Sequence, residues 1–248
     1  MSKRVAIVTG GIGGLGTEIC KYLARSGRFV VAADLASRSE RVEAFRQEMA
    51  EFGDGVAFEP LNVTDFAACA ALIEHVAKVH GPVAILVNAA GITRDTSLRK
   101  MAPEQWIDVL KVNLEGVFNM CRHVVDGMTA QGFGRIVNIS SVNGQTGQFG
   151  QTNYSAAKAG MHGFTMALAR EVAKKGVTVN SVSPGYCNTA LVQAVPEEIR
   201  NQIIAGIPVG RLGEPREIAR VVDFLAAEDA GFITGANIPV NGGYFMDF

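Results

Sequence analysis

At 248 residues, with 48% apolar and 19% charged side chains and no low-complexity tract, the chain has the composition of an ordinary globular protein and the length for one α/β domain over 1–248. A balance of 23 basic against 24 acidic side chains leaves a net charge of −1, so no global field draws nucleic acid or an anionic membrane, and neither is expected as a partner. Cys20, Cys69, Cys121 and Cys187 form no CxxC pair and His75, His80, His123 and His162 no metal-ligand spacing, while the start MSKRVAIVTGG enters a strand at once and no run is apolar enough to span a membrane; a cytoplasmic protein without disulfides, metal, signal peptide or membrane anchor is expected.

Lys3 to Thr9 is a Val/Ile-rich run of the kind buried on both faces of a parallel sheet. It leads through Gly10-Gly11-Ile12-Gly13-Gly14-Leu15-Gly16 into an amphipathic helix predicted over Thr17 to Ser26. Glycines suit such a turn because the backbone takes positive φ and approaches a pyrophosphate closely, with the helix amino terminus stabilising the negative charge. Two registers fit: Gly11, Gly13 and Gly16 as GxGxxG, or Thr9-Gly10, Gly14 and Gly16 as TGxxxGxG. The next strand, Arg28 to Ala33, ends at Asp34, eighteen residues beyond Gly16. In this topology an acid there accepts hydrogen bonds from ribose hydroxyls and repels a 2′-phosphate, which predicts NADH over NADPH. Arg38 and Arg41, a few residues on, are the side chains through which NADPH could still be accepted.

Val42 to Phe52 reads as a helix, Gly55 to Leu61 as a third strand, and Phe66 to His80 as a helix capped by Thr64-Asp65. Pro82 opens a fourth strand, VAILVNAAG, after which Arg94, Arg99 and Lys100 place three cations within seven residues, a pattern able to hold the phosphates of a coenzyme A or phosphopantetheine thioester. Trp106 to Gly127 reads as one long helix. The apolar run GRIVNIS ends in Ser141, at the carboxyl end of a strand where open α/β sheets bind ligands. Thirteen residues later come Tyr154 and Lys158, which a helix starting near Asn153 would set on one face with Cβ atoms roughly 5–6 Å apart. A tyrosine ordinarily titrates near pH ~10, and a close ammonium is expected to lower it toward neutrality; a drop of about 3 pH units needs about 4 kcal/mol of differential stabilisation. The segment Gln145 to Thr152, with Gln148, Phe149 and Gln151, suits a short polar acyl chain. Val177 to Ser183 reads as a sixth strand, 188–210 with its two prolines as a lid over the substrate, Glu214 to Glu228 as a helix, and Ile233 to Gly243 as a last strand and turn. The alternation gives a Rossmann-type doubly wound parallel sheet of about seven strands with helices on both faces. Gly-x-Ser-x-Gly is absent, so a serine hydrolase has no support.

The glycine loop, Ser141, Tyr154 and Lys158, in this order and spacing, resemble the short-chain dehydrogenase/reductase family over essentially the whole chain. Within that family, SSVNGQTGQFGQTNYSAAKAG and HGFTMALAREVAKKGVTVN are most similar to the acetoacetyl-CoA reductases of polyhydroxyalkanoate synthesis. The resemblance selects the TGxxxGxG register and implies a cofactor site of Gly10, Gly13, Gly14, Leu15, Gly16 and Asp34. It further implies Asn62 and Val63 beside the adenine, Asn88, Ala89, Ala90 and Gly91 along the ribose and nicotinamide, and Tyr154, Lys158, Pro184, Gly185 and Thr189 toward the carboxamide. Asn62 and Ala89 depart from the Asp and the second Asn more usual in the family. Asn113 is implied as the asparagine of a proton relay, making the catalytic set Asn113, Ser141, Tyr154 and Lys158. Substrate contacts are implied at Asp95, Lys100, Ser141, Gln148, Phe149, Gln151 and Tyr186, and the last strand is implied as part of a homotetramer interface. The implied activity is NAD(P)H-dependent reduction of a short 3-oxoacyl-CoA, acetoacetyl-CoA to (3R)-3-hydroxybutyryl-CoA. Two rival readings are reduction of a 3-oxoacyl thioester on acyl-carrier-protein, and a dinucleotide-binding regulatory protein without turnover.

Overall fold

The run VAIVT forms the first strand, β1 (Val5–Thr9), and all five residues are buried. Its side chains alternate between two cores: Ala6 and Val8 pack on one face of the sheet, Val5 and Ile7 on the other. The structure, a computed structural model, describes residues 3–246. In chain order, β1 is followed by α1 (Gly14–Arg25), β2 (Phe29–Asp34), α2 (Ser39–Glu48), β3 (Val56–Pro60), α3 (Phe66–Val79), β4 (Val83–Asn88), α4 (Pro103–Leu110) and α5 (Gly116–Gln131). Then come β5 (Gly134–Ile139), α6 (Asn143–Thr146), α7 (Thr152–Val172), β6 (Val177–Pro184), α8 (Ala190–Gln193), α9 (Glu197–Ala205), α10 (Pro215–Leu225) and β7 (Asn237–Val240).

The seven strands form one sheet in the order β3-β2-β1-β4-β5-β6-β7, every pairing parallel. The doubly wound parallel fold expected from the alternating runs is therefore present. Ile19 and Leu23 of α1, Phe45 of α2 and Ile218 and Val222 of α10 fill one face, and Leu72 and Val76 of α3, Met120, Val124 and Met128 of α5 and Met161 of α7 fill the other. Strand order reverses between β1 and β4, which opens the ligand crevice at their carboxyl ends.

Several boundaries differ from the sequence reading for local reasons. Helix α1 starts at Gly14 rather than Thr17, because Gly13 already accepts the Thr17 N–H at 2.8 Å. Of Thr64 and Asp65, only Asp65 caps α3, accepting the Ala68 N–H at 2.9 Å. Helix α2 closes at Glu48, and 50–55 turns as a tighter 3₁₀ segment with Gly53 at positive φ. The single helix expected over 106–127 is two α-helices joined by a π-helical turn, Lys111–Glu115, centred on Asn113. The Asn113 side-chain amide takes the Val109 carbonyl at 2.9 Å, a backbone acceptor that regular winding would use, and the widened turn follows. The segment 188–210 holds two short helices, α8 and α9.

Candidate active site

The glycine loop is shaped by two different demands. Gly10 alone within it has positive φ, +65°, and a Cβ there would stand 2.8 Å from the Ala89 carbonyl oxygen. Gly16 is needed for proximity, since a Cβ on it would sit 2.1 Å from the Gly10 carbonyl oxygen. Thr9 ties this loop to the next strand end, its Oγ1 accepting the Ala89 and Ala90 N–H groups at 3.2 and 3.3 Å. No side chain caps α1 and no acid lies in its first turn, so its amino-terminal N–H groups and positive dipole end are left for an anion. Thr189 stands across from this helix start, with its Cγ2 3.3 Å from where a Gly14 Cβ would be.

Beside the loop lies a cavity of about 470 Å³ lined by Gly10, Gly13, Asp34, Asn62, Val63, Ala89, Ala90 and Gly91, among others. Asp34, only 8% exposed, accepts the Leu35 N–H at 2.8 Å and the Arg38 guanidinium at 3.1 Å. Arg41 donates to Thr17 Oγ1 at 2.7 Å and to Glu48 at 2.6 Å. Both arginines through which a 2′-phosphate could be received are thus engaged within the chain. The Asn62 amide oxygen accepts from Thr64 N and Oγ1, which shapes the turn beneath the cavity. The Asn88 side-chain amide donates to Asn138 Oδ1 at 2.9 Å and to Cys121, while the next residue, Ala89, lines the cavity. A buried amide chain continues from Asn138 to Thr165, so Asn88 ties β4 to β5 and α7. These features suit a dinucleotide: a close glycine cradle, an open helix amino terminus and a carboxylate at the end of β2.

The second cavity, about 520 Å³, adjoins the first through Ala89, Gly91 and Ile92 and is lined by Leu15, Ser141, Tyr154, Lys158, Pro184, Gly185, Tyr186 and Thr189. Ser141 follows β5, and Tyr154 and Lys158 share one face of α7, as the spacing predicts. Lys158 is 3% exposed; its Nζ donates to the Ile139 carbonyl at 2.7 Å, and burial pulls its pKa down to about 7. The Tyr154 phenol contradicts the expectation of a lowered pKa. Burial raises it, the Asp95 carboxylate adds to the rise, and only the Ser141 hydroxyl opposes. The cause is shared desolvation, which weakens the neighbouring lysine's own hold on its proton. Asn113 is fully buried, donates to Ile92 O at 2.8 Å, and leaves its Oδ1 unpartnered, close to Gly91. A Cβ on Gly91 would meet that oxygen at 2.7 Å and Lys158 Nζ at 3.7 Å, so Asn113, Gly91 and the lysine converge on one spot.

The expected substrate residues separate into groups. Tyr186 lines the cleft and packs edge-on against Tyr244 at 5.6 Å. Gln151 lines it too, but both ends of its amide are taken, by Asp95 at 2.8 Å and by Asn143 at 2.9 Å. Lys100, Gln148 and Phe149 lie outside the lining, and Phe149 is 89% exposed. Arg94 lines the cleft and donates to the Thr93 carbonyl at 3.0 Å.

The family of the chain is now decidable, for the sequence pattern of the short chain dehydrogenases matches residues 4–200. The chain belongs to the short chain dehydrogenase family. Among curated members, it is 54% identical over 243 residues to an acetoacetyl-CoA reductase of Allochromatium vinosum, covering 98% of this chain and 99% of the relative. It is 55% identical to an acetoacetyl-CoA reductase of Rhizobium meliloti, with 98% and 99% covered. A 3-oxoacyl-(acyl-carrier-protein) reductase of Haemophilus influenzae is 42% identical, with 99% and 100% covered.

Several residues of this dehydrogenase site have no signal in the motif. Thr9, Asn143, Asn153 and Tyr244 act through contacts between separated segments: Asn153, for instance, donates to the Arg94 and Gln105 carbonyls at 3.3 and 3.1 Å and accepts the Tyr154 N–H at 2.8 Å. Asn153 is a fully buried amide directly before Tyr154 in the chain. A larger groove, about 960 Å³, lies at the opposite, amino ends of the strands; its Arg4 pairs with Glu228 and its Arg28 with Asp223, far from the dehydrogenase chemistry. All four cysteines are free and buried. Among the described residues, no group of three His, Cys, Asp or Glu side chains is placed to hold a metal ion, and no helix is long and apolar enough to cross a membrane.

Proposed function

We propose that this protein reduces the 3-keto group of a short 3-oxoacyl-CoA, acetoacetyl-CoA first, to the (3R)-3-hydroxyacyl-CoA used as a polyhydroxybutyrate monomer. The observation that carries the reading is the convergence of Ser141, Tyr154 and Lys158 in one cleft joined to the dinucleotide cavity. Full-length likeness at 54–55% to acetoacetyl-CoA reductases, against 42% to a carrier-protein reductase, supports the substrate.

A reduced nicotinamide held between the glycine loop and the Tyr154 cleft would supply the hydride. Ser141 donates a hydrogen bond to the carbonyl oxygen as negative charge builds on it, and Tyr154 gives that oxygen its proton. A phenol whose pKa is held up by burial stays protonated at neutral pH and is ready to act as the acid in this direction. Lys158 orients the cofactor ribose and, when protonated, favours the phenolate left behind. The unpartnered Asn113 oxygen near Lys158 is an acceptor that would order a water able to carry a proton to the lysine. Asp34 favours NADH, and Arg38, already paired with it, is the side chain that would turn toward a 2′-phosphate. Tyr186 bounds the acyl site, with Lys100, Gln148 and Phe149 at its rim and the 188–210 segment above it. The reading includes one dinucleotide-binding domain over the whole chain, assembly as a homotetramer, and work in the cytoplasm. Exposed Phe118, Phe224 and Phe232 are consistent with assembly.

The test is loss of reduced-nicotinamide absorbance with acetoacetyl-CoA, run with NADH and NADPH in parallel. Rapid oxidation of NADH supports both substrate and cofactor. Turnover with NADPH alone overturns the cofactor preference, and turnover only of a carrier-protein thioester overturns the substrate. Cofactor binding without turnover of any ketone would point to a regulatory role.

A further inference from the structure

Asp95 and Gln151 stand on different loops, yet each spends its polar group on the other. The Gln151 amide donates to Asp95 Oδ2 at 2.8 Å, and its carbonyl oxygen accepts from Asn143 Nδ2 at 2.9 Å. The backbone N–H of that same Asn143, 8% exposed, donates to Ser141 Oγ at 3.1 Å. Four residues from three segments thereby form one hydrogen-bonded chain in which Asn143 donates both ways, through its side-chain amide toward Gln151 and Asp95 and through its backbone N–H to the serine. The loops are clamped beside it, with Thr96 N donating to Gly150 O at 2.8 Å.

The direction of the chain follows from charge. A carboxylate only accepts, so Asp95 forces the NH₂ end of Gln151 toward itself and its oxygen toward Asn143. That oxygen in turn fixes the NH₂ end of Asn143, whose own Oδ1 is left buried without a partner. Asn143 cannot rotate without breaking the chain, and its main-chain N–H is held on Ser141. With one lone pair of the serine oxygen so occupied, its hydroxyl hydrogen is free to point at a substrate oxygen.

We propose that Asp95, Gln151 and Asn143 are positioning residues for Ser141, aligning its hydroxyl as a donor, and that Asp95 and Gln151 act through this chain rather than by touching the acyl-CoA. The inference rests on the reductase reading above. It makes the substrate-side loop carrying Asp95 part of the apparatus that orients the catalytic serine.

The chain's polarity provides a test. Gln151→Glu sets two carboxylates against each other, so at alkaline pH the link breaks, whereas at acid pH one shared proton restores a donor. The double variant Asp95→Asn with Gln151→Glu rebuilds every bond with the charge moved one position along: the introduced amide donates to the introduced carboxylate, which still accepts from Asn143. Tyr154 and Tyr186, whose phenols feel Asp95, and the neighbouring Arg94 also face this region, so all profiles are compared with wild type. Expected is a fall in kcat of about tenfold or more for Gln151→Glu at about pH 8, with KM changed less, partial recovery near pH 6, and rescue by the double variant across the range. Asn143→Ala, judged folded by its melting curve, is expected to lower kcat similarly. A raised KM with unchanged kcat in the single variants, or no rescue in the double, overturns the proposal in favour of direct substrate contact. Failure of the wild-type enzyme on acetoacetyl-CoA would instead count against the reductase substrate, and the same comparison then runs on whichever ketone it does reduce.

Discussion

Lys158 Nζ stands 5.6 Å from the centre of the Tyr154 ring, one helical turn away on the same face of α7. Lys158 is buried and Tyr154 half-buried beside it, and desolvation governs both groups: it pushes the phenol up and the ammonium down to about 7. The site is held ready by the fold at the expense of the fold's own stability.

Replacing Lys158 should therefore stabilise the cofactor-free protein. Below about pH 7 the lysine is charged both folded and unfolded, and the folded chain bears the whole desolvation penalty. Between about 7 and its ordinary 10.5 the folded chain has released a proton that the unfolded chain retains, so stability rises with pH; above 10.5 the penalty is gone. Lys158→Met should raise Tm by roughly 4 °C or more near pH 6, a gain that shrinks toward pH ~10, while turnover is lost. The lost hydrogen bond to Ile139, worth about 1 kcal/mol, offsets part of this. Calorimetry across pH checks it, and a gain independent of pH would refute the burial penalty.

Tyr154→Phe keeps the ring and removes the acid. A fall in kcat of roughly 10²–10⁴ with melting temperature little changed is expected, since positioned proton transfer contributes on that scale. Steady-state kinetics beside a thermal melt decides it, and near-normal turnover would remove Tyr154 from the mechanism.

Asp34→Ala should shift cofactor choice. Two unit charges about 4 Å apart at an effective dielectric near 20 repel by roughly 4 kcal/mol, an upper figure for a site open to water. Removing the acid also releases Arg38, which Asp34 holds at 3.1 Å. The NADPH to NADH ratio of kcat/KM should rise by about tenfold to a hundredfold. An unchanged ratio would mean that Asp34 does not meet the ribose.

Gly16→Ala should be far more harmful than Gly14→Ala. The first places a methyl 2.1 Å from a backbone oxygen, and the second 3.3 Å from the movable Thr189 side chain. Isothermal titration with NADH should show binding weakened at least about tenfold for Gly16→Ala and only slightly for Gly14→Ala; similar losses in both would refute the close-approach argument.

The legible parts of this molecule were local. Buried Val/Ile runs announced the strands, and the four-residue step from Tyr154 to Lys158 needed only a helix to become a site. The π turn at Asn113 was hidden because the apolar pattern runs on across it. The contacts of the Asn88 side chain were hidden because Asn138 and Cys121 come from other elements, and the chain from Asp95 to Asn143 joins loops that no spacing links. The direction of the Tyr154 shift depends on how deeply the pair is enclosed, which residue identities do not state.

The widened turn at 111–115 has a consequence for the helix as a whole. An α-helix advances about 100° per residue, so one extra residue in a turn sets everything after it out of phase with everything before it. Asn113 can point at the Ile92 carbonyl while Val117, Met120 and Val124 still face the sheet, two aims that a uniform winding would not satisfy together. Shortening the segment by a single residue would restore regular winding and force a choice between them: the chain would keep its core and lose the asparagine's aim, or the reverse.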